Sequence, residues 1–218
     1  MNRKKINYII SKPNLKYNVG DFFTKNNVLF ITGLSGSGKT TLSFEISNKY
    51  KVEIFNLDCL SNFYSTKFND TLIKKITGDF LKLNADLDKI LKNEKYMDLK
   101  LNHFNEYKEY NKKYFNYVYD YCIDHINTNF IIEGTQLFMT LDPTFFCDKS
   151  LIIVRKSAVK SLIRRLKREL KDNEKKHPLT VGKRHIKKLL NDSKRLHYKD
   201  LKKLNLFINN IQELRENV

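Results

Sequence analysis

Val28-Leu29-Phe30-Ile31-Thr32-Gly33-Leu34-Ser35-Gly36-Ser37-Gly38-Lys39-Thr40-Thr41 is the stretch whose reading decides the fold. Residues 33–40 satisfy G-x-x-x-x-G-K-[ST] without a break. Before them, 28–31 is a short apolar run suited to a buried parallel strand, and after them 41–46 carries apolar residues at helical spacing. A turn in that position aims successive backbone N–H groups at one anion, and only glycines leave room for the anion's close approach. Lys39 is then a mobile charge for β- and γ-phosphates, the Thr40 hydroxyl a ligand for Mg²⁺, and the helix start a positive dipole end. The spacing thus predicts a nucleotide-phosphate site made of Gly33, Ser35, Gly36, Ser37, Gly38, Lys39, Thr40 and Thr41.

Working outward, 52–57 reads as a second strand ending at Asp58, which makes a βαβ unit and an α/β fold. Residues 130–132 form a third strand followed by Glu133, 151–154 a fourth followed by Arg155, and the run Leu204-Asn205-Leu206-Phe207-Ile208 a fifth. Residues 1–27 are an extension in which 6–10 and 15–19 fit a small hairpin around Pro13-Asn14. Residues 61–127 are polar and rich in Tyr and Lys at helical spacing, which predicts a helical insert. A basic helix over 157–171, a break around His177-Pro178 and a second basic helix over 183–202 complete the pattern, with 157–183 as a lid region. The whole of 1–218 is expected to be one domain.

Composition narrows the class. No stretch approaches the roughly 20 apolar residues that span a bilayer, and the start lacks the apolar core of a signal peptide, so a soluble cytoplasmic protein without a membrane partner is expected. Cys59, Cys122 and Cys147 are far apart and lack C-x-x-C spacing, which points to reduced thiols. The net charge of +17, from 41 Lys and Arg against 24 Asp and Glu, would steer phosphorylated small molecules or nucleic acid to the surface.

In open parallel sheets ligands bind beyond the carboxyl ends of the strands, so Asp58, Glu133 and Arg155 should face the crevice that holds Lys39. Asp58 is placed to accept a proton from an attacking hydroxyl or to orient it; Glu133, beside Thr40, to hold Mg²⁺ through water or to contact the acceptor. On the helix after the fourth strand, Arg164 and Arg168 share a face at i, i+4, with Arg165 beside them. Guanidinium groups match phosphate oxygens in pairs, so these three suit a closing basic lid.

With these residues in hand, the chain resembles the small P-loop kinases, a superfamily of nucleoside, nucleotide, shikimate and adenylylsulfate kinases and zeta-toxin-type sugar-nucleotide kinases. The resemblance covers most of 28–210. Residues 33–41 are similar to the loop of adenylylsulfate and uridine kinases, Asp58 stands where those families keep an acid after strand two, and Ile131-Ile132-Glu133-Gly134-Thr135 is similar to a zeta-toxin segment. Arg164, Arg165 and Arg168 match the lid helix by position. The chain departs in having no D-x-D after strand two and Glu133 in place of an hhhhD strand end. The resemblance implies a three-layer fold with a five-stranded parallel sheet of order 2-3-1-4-5, and ATP with Mg²⁺ as donor.

The expected function is an ATP-dependent phosphotransferase acting on a hydroxyl or phosphate of a nucleoside, nucleotide or related small molecule held by the insert, the protein being a monomer or homodimer. Its rivals are a kinase acting on nucleic acid, at a 5′ end or a modified base, and a nucleotide-switched NTPase module.

Overall fold

The computed structural model describes residues 7–11, 27–64, 71–93, 96–176 and 183–216. Its centre is a parallel sheet whose inner strands are continuous apolar runs, the signature of strands covered on both faces. The inner strands are β2 (Val28–Gly33), β4 (Phe130–Glu133) and β5 (Ser150–Val154), and β1 (Asn7–Ser11) and β3 (Glu53–Asn56) lie at the two edges. Across the sheet the order is β1-β5-β2-β4-β3, every pair parallel.

Alternation along the strands sorts side chains to two faces. Leu29, Ile31, Ile131, Ile152 and Val154 pack with Leu42 and Ile46 of α1 (Lys39–Tyr50). Val28, Phe30, Ile132, Leu151 and Ile153 face the larger core on the other side. That core is filled by α5 (Phe104–Asp124), α6 (Gln136–Thr140) and α8 (Lys183–Glu216), giving three layers. Phe30 anchors it, with the Phe145 and Phe146 rings edge-on at 5.7 and 5.4 Å.

The expected helical insert forms four helices where it is described, α2 (Thr71–Lys82), α3 (Ala85–Lys92), α4 (Tyr96–Asn102) and α5, with residues 61–64 and 125–127 in turns. Tyr96, Tyr107 and Tyr114 of this segment are buried, and two of them have hydroxyls engaged within it. Tyr96 Oη donates to Asn111 Oδ1 at 2.8 Å, and Tyr114 Oη lies 2.8 Å from Thr77 Oγ1. The first basic helix is α7 (Ala158–Lys176). Among the described residues, no helix is long and apolar enough to cross a membrane.

Two expectations are overturned. Residues 204–208 are helix, not strand, and lie inside the 34-residue α8, which runs on well past 202. The buried positions Leu196, Asp200, Leu204, Phe207, Ile208 and Ile211 recur with the helical period, whereas Leu206 is 61% exposed. A five-residue window hid a periodicity that only the longer segment reveals. The sheet edge beside β5 is instead filled by Asn7–Ser11, paired in parallel from Asn7↔Ser150 to Ser11↔Val154. The first arm of the expected N-terminal hairpin is thus an edge strand of the main sheet; its second arm at 15–19 lies outside the described residues. The physical cause is that β5 is buried along its whole length and its outer backbone groups need a ladder partner.

The helical reading of 204–208 is open to direct measurement. Phe207→Ala removes a ring packed 5.7 Å from Phe146 and should destabilise by about 3–5 kcal/mol, whereas Leu206→Ala should change stability by less than about 0.5 kcal/mol. Urea denaturation midpoints decide the order, and similar losses at both positions would favour a strand.

Candidate active site at the carboxyl edge of the sheet

β2 ends at Gly33, α1 begins at Lys39, and the glycine loop runs between them. Three positions demand glycine, Gly38 among them with φ +100°. Gly33 has φ +150°, and a Cβ there would lie 2.4 Å from the Val154 carbonyl oxygen; Gly36 has φ +82°, and its Cβ would lie 2.6 Å from the Ser161 carbonyl oxygen. The loop is thus wedged between the end of β5 and the first turns of α7. The Ser37 amide closes the turn onto the Leu34 carbonyl at 3.0 Å, and the Ser37 hydroxyl is buried without a partner. Lys39, first residue of α1, is 6% exposed.

Glu133 is the hub beneath this loop. It is fully buried at the end of β4, in register with Ile31 and Asn56. Its Oε1 accepts from the Thr40 hydroxyl at 3.0 Å and from Asn56 Nδ2 at 2.6 Å, and its Oε2 accepts from the Ser43 hydroxyl at 3.0 Å. Three donors aimed at both oxygens are what a buried carboxylate requires. Burial still pushes the Glu133 carboxyl above its usual range; Lys39 opposes that rise and the Asp58 charge adds to it.

Asp58 follows β3 in a short 3₁₀ turn, Leu57–Cys59, capped when its own N–H donates to Asn56 Oδ1 at 2.8 Å. Asn56 therefore ties the two acids together, one through each end of its amide. Gln136 Nε2 donates to Asp58 Oδ1 at 2.8 Å. Gly134 makes room for that reach, since a Cβ on it would meet Gln136 Oε1 at 2.5 Å. Burial pulls the Asp58 carboxyl upward, but Lys39 foremost, then the Gln136 hydrogen bond, Lys100 and Arg168, hold it below the ordinary value. Four donors or cations from four different elements face one carboxylate.

The three arginines separate. Arg168 Nη2 donates to the Ser35 hydroxyl at 2.6 Å, so this guanidinium sits on the loop. Arg164 is exposed, and its Cβ lies 3.3 Å from where a Cβ on Gly36 would be. Arg165 points elsewhere: it is 5% exposed, and its Nη1 pairs with Asp200 Oδ2 of α8 at 3.3 Å. Its expected place among the lid arginines gives way to a helix-to-helix tie, because residues one apart on a helix face about 100° apart. Thr41 and Arg155 are exposed.

Ser43, Asn56, Gln136 and Lys100 complete the site and escaped the sequence reading. Ser43, four residues after Lys39, was legible as the next position on the same helix face. The other three depend on tertiary placement alone. Thr40 and Glu133 together offer the hard oxygen ligands that suit Mg²⁺, which takes few protein ligands and completes its shell with water and phosphate. Among the described residues, no three His, Cys, Asp or Glu side chains gather as a metal site of their own.

No protein-family model matches this chain, and no curated protein matches it.

The Asp58 environment has a pH signature. Its folded pKa lies below the unfolded value near about 3.9, so its ionised form contributes stability at neutral pH that is lost as pH falls below about 4. Asp58→Asn should be less stable than wild type at neutral pH, and the gap should narrow on acidification; urea titrations across that range read it. A gap that widens toward acid would reverse the assigned sign.

Proposed function

We propose that the protein is an ATP-dependent phosphotransferase of the P-loop kinase kind, moving the γ-phosphoryl group onto a hydroxyl or phosphate of a nucleoside, nucleotide or similar small molecule. One observation carries the reading: the Asp58 carboxylate stands under the joint influence of Lys39 of the loop and Arg168 of α7, while Arg168 itself docks on Ser35 of the same loop. A phosphate cradle, a carboxylate and a guanidinium thus converge on one point.

The chemistry asked of these residues is positioning and charge stabilisation. The loop amides and Lys39 hold the β- and γ-phosphates. Bound Mg²⁺, which Thr40 and Glu133 would hold, supplies charge neutralisation on the phosphate oxygens. Asp58, ionised at neutral pH, accepts a hydrogen bond from the acceptor hydroxyl and aims its oxygen at the γ-phosphorus. As the new P–O bond forms, the bond to the β,γ-bridging oxygen breaks with its electron pair remaining on ADP, and the acceptor proton passes to Asp58 and then to water. A lowered pKa makes Asp58 a weak base, which suits a loose transition state where little proton transfer precedes P–O cleavage. Arg168 neutralises charge spreading over the equatorial oxygens.

A screen of nucleosides, nucleotides, sugars and oligonucleotides with labelled ATP tests the activity. Lys39→Ala should abolish transfer. Asp58→Asn should lower kcat by roughly 10²–10⁴ with ATP binding retained, and near-normal turnover would remove Asp58 from the reaction. No uptake of ATP or GTP with magnesium would refute the reading outright.

The arginines give a second test. Arg168→Ala should slow turnover with little change in stability. Arg165→Ala should instead destabilise by about 3 kcal/mol, the low end for breaking a buried pair, because Lys100 still faces Asp200. Paired measurements of kcat and of the urea midpoint check the split; the opposite pattern would exchange the two roles.

A further inference from the structure

Beside the site lies a cavity of about 300 Å³ between the insert and α8. Four lysines line it, Lys100 from α4 and Lys199, Lys202 and Lys203 from α8. A single acid, Asp200, stands among them. Its Oδ2 is shared by Lys100 at 3.3 Å and Arg165 at 3.3 Å, so its charge is already engaged. Its Oδ1 is buried and, among the described residues, has no hydrogen-bond partner. The floor is apolar, from Phe104, Met139 and Leu196.

Each of these features specifies a part of an occupant. Amines in such excess over carboxylate call for an anion. An orphaned buried carboxylate oxygen calls for a donor, and a hydroxyl is the neutral group that supplies one. The apolar floor calls for a heterocycle or carbon skeleton, and the volume lies at the low end of small-ligand pockets, about 300–1,000 Å³. Lys203 shows that the lysines feel one another. Its Nζ lies 3.0 Å from the centroid of the Phe104 ring, and burial, together with the charges of Lys108, Lys100 and Lys199, lowers its pKa to about 8 although Asp200 opposes the change. Lys100 couples the cavity lining electrostatically to the Asp58 site, for it pairs with Asp200 and acts on Asp58.

We infer that this cavity holds the acceptor, and that the acceptor is a small phosphomonoester bearing a free hydroxyl: its phosphate meets Lys199 and Lys203, and a hydroxyl donates to Asp200 Oδ1. This rests on the phosphotransferase reading above and names its substrate class. A polyanion held by its backbone would instead use exposed charge along a surface, and would need neither the orphaned oxygen nor the apolar floor.

Calorimetric titration of the full chain, with the loop filled by the magnesium complex of a non-hydrolysable ATP analogue, tests it. The probes are matched pairs: the four ribonucleosides against their 5′-monophosphates, and ribose against ribose 5-phosphate. At least one phosphorylated probe should bind tenfold or more tightly than its partner. The double variant Lys199→Met/Lys203→Met should erase that preference, Lys203→Arg should keep it, and the analogue should bind all three proteins within about twofold. The proposal fails if no phosphorylated probe outbinds its partner, if the preference survives in the double variant, or if only a single-stranded oligonucleotide binds with lysine dependence. Failure of the analogue to bind overturns the phosphotransferase reading separately, because the probe preference is still read with the loop empty.

Discussion

The buried Glu133 carboxylate is the constraint from which the rest of the site follows. A charge with no access to water survives only where fixed donors replace its hydration, and here Thr40 and Ser43 of α1 and Asn56 of β3 do so. Those bonds join the ends of β3 and β4 to the first turn of α1. The same Asn56 amide then caps the turn that presents Asp58. The positions of loop, helix and second acid are therefore not independent, since a shift in one strands a donor or acceptor in another. Rigidity of this kind is what a reaction relying on positioning requires.

A second carboxylate, Asp200, organises the opposite wall. It faces Arg165 from α7 and Lys100 from α4 while sitting on α8, so one side chain binds three helices that are remote in sequence. Because Lys100 and Arg168 also act on Asp58, the insert and α7 are both linked electrostatically to the carboxyl edge of the sheet. Buried ion pairs contribute little net stability, but they punish mispacking heavily. Asp200 thus acts mainly to fix how the helices meet.

Much of the fold was legible because parallel strands covered on both faces write themselves as short apolar runs, and the three inner strands of the sheet did so. The glycine loop was legible because its spacing encodes backbone geometry, and Gly33 and Gly36 occupy conformations that other residues resist. What failed did so for identifiable reasons. Leu204–Ile208 alternates locally like a strand, yet Asp200 and Ile211 continue a helical period through it, and packing against Phe138 and Phe146 settles the contest. The edge strand at 7–11 looked like one arm of a hairpin because pairing partners 140 residues away leave no local trace. In the site, Glu133, Asp58 and Thr40 were visible as strand-end or motif residues. Asn56 and Gln136 were not, since nothing in an isolated Asn or Gln announces that its amide will reach a buried acid. Arg165 was grouped with Arg168 on sequence proximity, where the helix period sends it to the far side.

The excess of positive charge gains a location from the structure. Lysines spread over a solvated surface repel one another weakly through water, but four amines around one cavity, facing a single carboxylate already shared, do so at shorter range and lower dielectric. Burial first, and then the charges of Lys108, Lys100 and Lys199, hold the Lys203 amine below its ordinary pKa although Asp200 opposes the change. A fold keeps such a cluster at a cost only where something offsets it, and functional sites are where stability is commonly forgone. An anion entering the cavity would convert mutual repulsion into shared attraction. Four of the lysines behind the +17 charge thus have a common location, the lining of one cavity between α4 and α8.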